Sequence, residues 1–573
     1  MKLALAVALV AFTVPSCAST PPAPPPSAPR AVAWEEWRSP EIFAKAQAGK
    51  KLVLLDLGTG WCHWCHVMEE TTYKDATVVA LLDEHFVAAR ADADARPDLA
   101  NRYEDYGWPA TIIFDAKGTE LVKLQGYKDA ARMISLLRAV VDDPTPGPSA
   151  RFKTSVAPAA SSSLSAELKT QLRSRFMAGY DEKHAGWGES HKFVDLDAIE
   201  LSVRDAVRGD TEAWHRARRT LDAERNSLID RVWGGAYQYS DSGVWENPHF
   251  EKIMSRQAAD IIAFSLAHEV DGVDSPEFLA AARAVDRFLS EWLTSPEGTF
   301  YASMDADLKK GEHGGEYFAL DDAKRRARGI PEIDRHVYAR ENGWAIEALT
   351  FLHAASGDDA VLARATKAAE RIVATHSVGG GFKHEPGDEA LYLGDTLAMG
   401  RAFLRLAFTT GDRRWLDRAS SAARFIDANF ATDGGYLAAK ARPGDPTAPL
   451  PELDENVSLA RFANLLHHAT GDPAFRAIAE RAMRFVASPD ATRRRGFYVA
   501  GVLLADEEMG RAPLSIEATR PLVPAALRLP LTYLVIKHEE GEKPSALVCG
   551  AERCHAPVES ADDLRRVALE LEK

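Results

Sequence analysis

Two cysteines stand two residues apart in the stretch Gly60–His66, "GWCHWCH". A pair at this spacing can cycle between dithiol and disulfide, supply half of a zinc site, or form a structural crosslink. Zinc takes four ligands, and Cys62, Cys65 and the adjacent histidines offer poor tetrahedral geometry within one helical turn. A crosslink that closes so short a loop gains little stability from chain entropy. We therefore expect redox chemistry and no metal. A composite zinc site shared with the C-terminal cysteines is the alternative.

The residues before the pair indicate how it is positioned. Residues 51–57, "KLVLLDL", are typical of a buried strand, and a helix is predicted over 62–71. A cysteine at a helix N-terminus meets unpaired N–H groups and the positive end of the helix dipole, which lowers the pKa of its thiol. We expect Cys62 to attack as the thiolate. Cys65, one turn later and more buried, is expected to resolve the mixed disulfide.

Three further residues accompany the pair. Asp56, on the strand, is predicted to relay the proton of the resolving thiol. Trp61 and Pro109 are predicted to contact the partner, and the X–Pro bond in "GWPAT" is one at which a cis peptide costs little. Together these features resemble the thioredoxin fold, in which a cis-proline loop faces the cysteine pair. The same part of the chain predicts a small α/β domain with further strands at 86–92, 110–115 and 120–126 and helices at 40–49, 75–84, 97–105 and 129–142.

Longer stretches point to one family. The run "CHWCHVMEETTYKDATVVALLDEHFVAARADADARPD", followed by "GWP", resembles the N-terminal domain of the spermatogenesis-associated thioredoxin-like family. "WENPHFEKIM", "DADLKKGEHGGEYFAL" and "ALVCGAERCHAPVESADDL" resemble blocks of the same family in the same order. The resemblance covers nearly the whole chain. It implies a thioredoxin-like domain fused to an (α/α)6 barrel similar to those of six-hairpin glycosidases and N-acylglucosamine 2-epimerases.

The long middle part repeats two kinds of turn. "GD" turns occur at 209, 357, 411 and 471, with "DGVDS" at 271–275 in the same role. Alternating turns separated by amphipathic helical segments predict helical hairpins in series. Six Gly–aromatic turns imply six hairpins, and six hairpins predict a closed (α/α)6 toroid. The longer Gly–aromatic turns should form one mouth of the toroid, at 186–188, 234–237, 298–301, 379–382, 434–436 and 496–498.

Polar residues cluster in the loops of the predicted mouth. His249, Glu251, Asp305 and Asp307 are predicted to bind a ligand or to act as acid and base there. Capping of helices and turns is the alternative role for each of them. Without a Gly-rich phosphate cradle or a basic cluster, the mouth suits a sugar-like or peptide ligand. Other expected participants are aromatic stacking surfaces and acids or amides at inner-helix starts, namely Trp233, Tyr237, Trp245, Glu341, Asn342, Asp395, Asp454, Glu455, Asn456 and Glu517.

The two ends of the chain indicate export. "MKLALAVALVAFTVPSC" has the form of a bacterial signal segment, and Cys17 stands where lipoproteins are lipidated. The remaining four cysteines form two close pairs, which in an exported chain favours disulfides. Cys549 and Cys554 are predicted to form a local disulfide, or else a second redox pair within reach of Cys62. The predicted division is signal 1–17, Pro-rich tether 18–33, thioredoxin-like domain 34–143, linker 144–163, barrel 164–528 and C-terminal α/β cap 529–573.

These features favour an exported thiol–disulfide oxidoreductase without a cofactor, in which the barrel binds or positions a partner or a sugar-like ligand. Its partners are expected to be protein thiols and disulfides. A net charge of −15 without a dense run of Lys and Arg argues against nucleic acid, and membrane contact is expected only through the lipid anchor of a periplasmic lipoprotein. The alternatives are a carbohydrate-active isomerase or hydrolase with a regulatory thioredoxin domain, and a non-catalytic surface binding protein.

Overall fold

The computed structural model describes residues 31–103, 107–150, 156–271, 275–442, 445 and 447–573. The predicted signal segment, Cys17 and most of the tether lie outside the described residues. Among the helices described, none combines the length and the apolar character needed to cross a bilayer.

The N-terminal domain is a five-stranded mixed sheet with helices on both faces. The strand order is β1-β3-β2-β4-β5, with β1 and β2 parallel to β3 and with β4 antiparallel to β2 and β5. This confirms the predicted α/β domain. Its elements are β1 Glu35–Glu36, α1 Ser39–Gly49, β2 Leu52–Gly58, α2 His63–Glu70, α3 Ala76–His85, β3 Phe86–Asp92, α4 Pro97–Tyr103, β4 Ala110–Phe114, β5 Glu120–Gln125 and α5 Ala130–Asp142.

Alternation along the central strand β2 fills two cores. Val53, Leu55 and Leu57 face the core that includes α1 and α4, whereas Leu54 faces the core that includes α3 and α5. Successive strand residues point to opposite faces of a sheet, so Asp56 lies on the same face as Leu54. The Asp56 carboxylate therefore lies on the face of the sheet against which α2 packs.

The middle of the chain is a closed double ring of helices. Helices α7, α9, α13, α15, α17 and α20 form the inner ring, in which each contacts the next and α20 contacts α7. This confirms the predicted (α/α)6 toroid. The helices are α6 Ala166–Ala178, α7 Leu196–Val207, α8 Thr211–Ser227, α9 Met254–Asp271, α10 Pro276–Trp292, α11 Gly315–Phe318, α12 Asp322–Arg328, α13 Ala339–Ser356, α14 Asp359–His376, α15 Leu393–Thr410, α16 Arg413–Phe430, α17 Leu453–Thr470, α18 Pro473–Val486, α19 Pro489–Thr492 and α20 Ala500–Gly510.

Short strands lie at the mouth of the barrel, where the Gly–aromatic turns connect outer to inner helices. β8, β9 and β10 form a three-stranded antiparallel sheet, and three hairpins pair β6 with β7, β11 with β12 and β13 with β14. The strands are β6 Tyr239–Ser240, β7 Pro248–His249, β8 Lys252–Ile253, β9 Ser303–Met304, β10 Ile333–Asp334, β11 Ser377–Val378, β12 Gly381–Phe382, β13 Ala431–Thr432 and β14 Gly435–Tyr436.

The "GD" turns close the opposite end of the barrel by a shared mechanism. The glycine ends an inner helix in the left-handed conformation, as at Gly411 with φ of 71°. Glycine adopts this conformation without steric cost. The aspartate then caps the next outer helix, as Asp412 does by accepting the N–H of Arg414 at 2.9 Å. Each dipeptide therefore ends one helix and starts the next.

The Gly–aromatic turns are fixed to the inner helices by buried polar side chains. In four hairpins the fourth residue of the inner helix bonds to the backbone of the turn. Asn342, for example, accepts the N–H of Phe300 at 2.8 Å and donates to its carbonyl oxygen at 3.0 Å. Asn342 and Asn456 thus have a structural role that their predicted place at the mouth did not reveal. The four side chains are Gln257, Asn342, Thr396 and Asn456.

A small α/β cap covers the "GD" end of the barrel. Its sheet has the order β16-β15-β17, and His538 contacts the carbonyl oxygen of Phe408 near the end of α15 at 2.8 Å. The sheet begins before the predicted boundary at 529, and Glu517 lies in β15, paired with Lys537 at 2.9 Å, not at the mouth. The cap elements are β15 Leu514–Thr519, α21 Val523–Leu527, β16 Leu534–Glu539, β17 Ala546–Cys549 and α22 Ala561–Glu572.

We predict that Asn342→Ala destabilises the barrel. The substitution leaves a buried backbone N–H and a buried carbonyl without partners, at roughly 1–3 kcal/mol for each orphaned group. Thermal unfolding followed by circular dichroism measures the loss. Gln171→Ala, at an exposed amide on α6, is the control and should change stability by less than about 0.5 kcal/mol. Equal melting temperatures for the two variants would contradict the structural role of Asn342.

Candidate redox site

The cysteine pair lies at the junction between β2 and α2. Cys62 is the N-cap of α2, and the backbone N–H of Cys65 donates to Cys62 Sγ at 3.2 Å. The structure joins the two residues in a disulfide. Cys62 is only 4% exposed, whereas Cys65 is half-buried. This order of burial is the reverse of the predicted one.

Strand pairing at the barrel mouth brings three predicted carboxylates to α2. The pairing of β8 with β9 sets Glu251 close to Asp305 and Asp307, and all three are buried. Asp307 contacts Nδ1 of His63 through Oδ1 at 2.8 Å and Nδ1 of His66 through Oδ2 at 3.2 Å. Glu251 accepts the backbone N–H of His63 at 3.3 Å. These carboxylates therefore bind the start of α2, which differs from the expectation that they line an open mouth.

His66 is held as an imidazolium. Its Nδ1 faces the Asp307 carboxylate and its Nε2 faces the carbonyl oxygen of Gly60 at 3.0 Å. A ring nitrogen that faces an acceptor must carry a proton, so both nitrogens are protonated. Burial lowers the pKa of His66, but the hydrogen bond to Asp307 and the charges of Asp305 and Asp307 outweigh it and raise the pKa above its ordinary value. The same bonds hold the pKa of Asp307 below its ordinary value despite burial.

The donor atoms of the same cluster lie close enough together to raise the question of a metal ion. Ligand atoms of His66, Asp305 and Asp307 lie within 4.8 Å of one another, close enough to surround an ion. However, a metal ligand must offer a lone pair, and both nitrogens of His66 are used as donors. The hydrogen bond to Gly60 would have to break before Nε2 could bind a cation. The residues present therefore fit an ion-paired hydrogen-bond network.

A second contact reaches the residue before Cys62. Trp61 is buried, and its indole N–H donates to Asp94 Oδ2 at 2.6 Å. The carbonyl oxygen of Asp94 contacts Nε2 of His384 at 2.7 Å, and Nδ1 of His384 contacts Asp395 at 2.8 Å. Asp395 lies in the first turn of α15. The barrel therefore holds the cysteine loop from both sides, and Trp61 is engaged within the molecule.

The remaining residues predicted for the thioredoxin-like domain are placed as follows. Asp56 accepts from Tyr73 at 3.0 Å and from Arg90 at 3.0 Å. Burial raises the pKa of Asp56, and Arg90 and Tyr73 act in the opposite direction. Pro109 follows a cis peptide bond. The register of β2 with β4 pairs Ala110, the residue after Pro109, with Leu57, the residue before Gly58. A Cβ added at Gly58 would lie 3.0 Å from Cys65 Sγ.

The other predicted mouth residues are packed into the protein. His249 stacks on Tyr239 with a ring distance of 4.2 Å, and its Nε2 lies 3.5 Å from Asp241. Burial lowers the pKa of His249. Trp233, Tyr237 and Trp245 are buried in the hydrophobic core, which differs from the expectation that they form stacking surfaces at the mouth. Loop and core packing explains these four residues.

The contacts of His66, Asp94 and His384 at the candidate site are not predicted from the sequence, and His63 is predicted only to tune the stability of the thiolate. A signal for the two histidines on α2 was present, because residues three apart share a helix face. No pattern in the sequence links Asp94 or His384 to the cysteines, since their contact joins two separate domains.

Comparisons with known proteins support a thioredoxin-like fold for the N-terminal domain. Residues 26–137 match a family model, Thioredox_DsbH, described as a protein of unknown function, DUF255. Human spermatogenesis-associated protein 20 is 29% identical over 311 residues, which cover 48% of this chain and 39% of the relative. The thiol:disulfide interchange protein DsbD of Ralstonia nicotianae is 37% identical over 102 residues, or 17% of each chain. The alignment thus spans less than half the length of these relatives.

These similarities agree with the predicted resemblance over 48% of the chain: the chain is similar to spermatogenesis-associated protein 20, and its residues 26–137 match the DUF255 model. Solved structures similar to the barrel include D-mannose isomerase, with a TM-score of 0.45, 14% identity and coverage of 60% of this chain and 97% of that one. The cellobiose 2-epimerase of Bacillus thermoamylovorans has a TM-score of 0.44, 12% identity and coverage of 56% and 87%.

We predict that docking of the thioredoxin-like domain on the barrel weakens as pH rises from 6 to 8.5. Burial raises the pKa of Glu251 to about 7 and that of Asp305 to about 6. Docking that depends on their neutral forms is therefore lost as pH rises through about 6 for Asp305 and through about 7 for Glu251. The raised pKa of His66 stabilises docking at low pH, and that contribution is also lost as pH rises.

Hydrogen exchange measures this effect at residues 60–66 and 303–311, after correction for the intrinsic pH dependence of exchange. Protection should fall between pH 6 and pH 8.5. Glu251→Gln keeps an acceptor for the N–H of His63 without a titrating group, so this variant should lose less protection. Equal corrected protection at the two pH values would contradict the prediction.

Proposed function

We propose that this protein is a thiol–disulfide oxidoreductase whose reaction centre is Cys62 and Cys65. The observation that carries the proposal is the hydrogen bond from the Cys65 N–H to Cys62 Sγ at the start of α2. A donor and a helix dipole directed at this sulfur stabilise its thiolate, the form that attacks disulfides. Similarity to a DsbD thiol:disulfide interchange protein supports the same reaction.

The reaction follows from the two sulfurs. In the reductive direction the Cys62 thiolate attacks a partner disulfide, a mixed disulfide forms, and one partner thiolate leaves. Cys65 then attacks Cys62 Sγ, which breaks the mixed bond, re-forms Cys62–Cys65 and releases the second thiolate. Two electrons pass to the partner, and the reverse sequence oxidises it. Asp56, whose pKa burial raises, is proposed to take the proton of Cys65.

The barrel is proposed to control access to this centre. Cys62 is 4% exposed because α2 is held against Glu251, Asp305 and Asp307. A protein disulfide must therefore reach Cys62 through a loosened contact between the two domains. Trp64, 41% exposed beside the pair, offers an apolar surface for that partner.

The carbohydrate-active alternative has less support from the site. An isomerase or hydrolase at the mouth needs free carboxylates in an open cavity. Here Asp307 contacts two histidines, Asp395 contacts His384, and Asp94 of the thioredoxin-like domain covers that part of the mouth. An exported, lipid-anchored location remains our proposal, and two disulfides in one chain are consistent with it.

We predict that Cys62→Ser lowers the dithiothreitol-dependent reduction of insulin at least tenfold, since it removes the nucleophile. Cys65→Ala should instead trap partner proteins as mixed disulfides that run as slower bands without reductant. Cys554→Ser is the control and should leave insulin reduction unchanged. Full activity of Cys62→Ser, or trapping by Cys62→Ser in place of Cys65→Ala, would contradict the assignment.

We also predict that Asp307→Lys opens the contact between the domains. The substitution places an ammonium next to the His66 imidazolium and removes the acceptor of His63. Alkylation of reduced Cys62 by iodoacetamide at pH 7, followed by mass spectrometry, should be at least about tenfold faster than in the wild type. Glu312→Lys makes the same charge change at an exposed position of the same loop, 68% exposed, and should leave the rate unchanged. Equal rates in both variants would contradict control by the barrel.

A further inference from the structure

The interior of the barrel holds a small, partly enclosed cavity, away from the cysteines. It has a volume of about 70 Å³. Side chains of all six inner helices line it, and Thr532 and Tyr533 of the segment that precedes β16 close it on the side of the cap. A cavity of this size has room for a ligand of a few heavy atoms and none for a sugar ring or a nucleotide.

One cation on the cavity wall has no counter-ion among the residues that the structure describes. Arg405, on α15, is 7% exposed, and its Nε is buried without a hydrogen bond. Within the described part of the chain its guanidinium makes no ion pair, and it lies 4.1 Å from the ring centre of Phe351. A buried charge without a counter-ion is costly in a protein interior. Burial lowers the pKa of Arg405 to about 10, which leaves it charged at neutral pH.

The carboxylates around the cavity are already engaged by other arginines. Both oxygens of Glu347 accept from Arg401, at 3.0 and 3.1 Å. Both oxygens of Glu508 accept from Arg461, at 3.0 Å each. Each of these two acids is thus already paired with an arginine other than Arg405.

We propose that the barrel interior binds a small monocarboxylate, whose carboxylate pairs with Arg405 and whose short alkyl part packs on the apolar wall. Phe351, Leu404, Phe462 and Leu465 provide that wall. Glu200 and Glu347 lie near Arg405 and add repulsion for each negative charge of a ligand, so the site favours a monoanion over a dianion such as hydrogen phosphate. The cavity size limits the ligand to the range of acetate, propionate and lactate.

The test uses the full chain and sodium propionate as the probe. Saturation-transfer NMR and calorimetry should show saturable binding of propionate to the wild type. Arg405→Met keeps the length of the side chain without its charge and should weaken binding at least about tenfold, as loss of a charged hydrogen bond does. Arg413→Met, at an arginine that is 88% exposed, is the matched control and should bind as the wild type does.

A second measurement needs no variant. Propan-1-ol has the carbon chain of propionate without its charge, and it should not compete with propionate for the wild type. Sodium chloride at the same concentration should not displace propionate either. The proposal is overturned if the wild type shows no saturable propionate binding, if propan-1-ol or chloride competes equally, or if Arg405→Met binds propionate as tightly as the wild type. These readouts do not involve the cysteines, so they are independent of the redox proposal.

Discussion

The Asp307 carboxylate is the contact on which the arrangement of the two large domains depends. A carboxylate that is 2% exposed is tolerated in a protein interior only when donors surround it. The Asp307 carboxylate contacts the rings of His63 and His66 on α2. It also accepts a hydrogen bond from the N–H of Gly311 in its own loop, at 2.8 Å. It therefore fixes the loop that carries it and the helix that carries the cysteines at the same time. The burial of Cys62 follows from this arrangement.

Local patterns in the sequence predict the elements of the fold well. The "GD" dipeptides predict one end of the barrel because glycine and aspartate each have a distinct conformational role there, as at Gly411 and Asp412. The cysteine spacing likewise predicts the N-cap of α2, since only short-range geometry is involved. These features are determined within a few residues of the chain, so they can be inferred without knowledge of the tertiary structure.

The partners of the site residues could not be predicted in the same way. The sequence singles out Glu251, Asp305 and Asp307 as unusual loop acids, but their contacts lie about 190 to 240 positions away along the chain. Which surface covers the barrel mouth is a property of domain docking, and no periodicity encodes it. For two amide side chains the sequence suggests a role at the mouth, whereas the structure shows a role in holding turns. Asn342 and Asn456 stand beside acids at helix starts, yet their hydrogen bonds hold turns in place.

The position of the C-terminal cap affects how small molecules enter and leave the barrel. The cap closes one end of the inner ring, and the thioredoxin-like domain covers the other through Asp94 and His384. An inner helix of 18 residues is about 27 Å long, and the thioredoxin-like domain and the cap, each with one disulfide, cover opposite ends of the ring. A small molecule that enters or leaves the ring must pass one of these two coverings. Its residence time then depends on the two domain contacts as well as on the strength of its own binding.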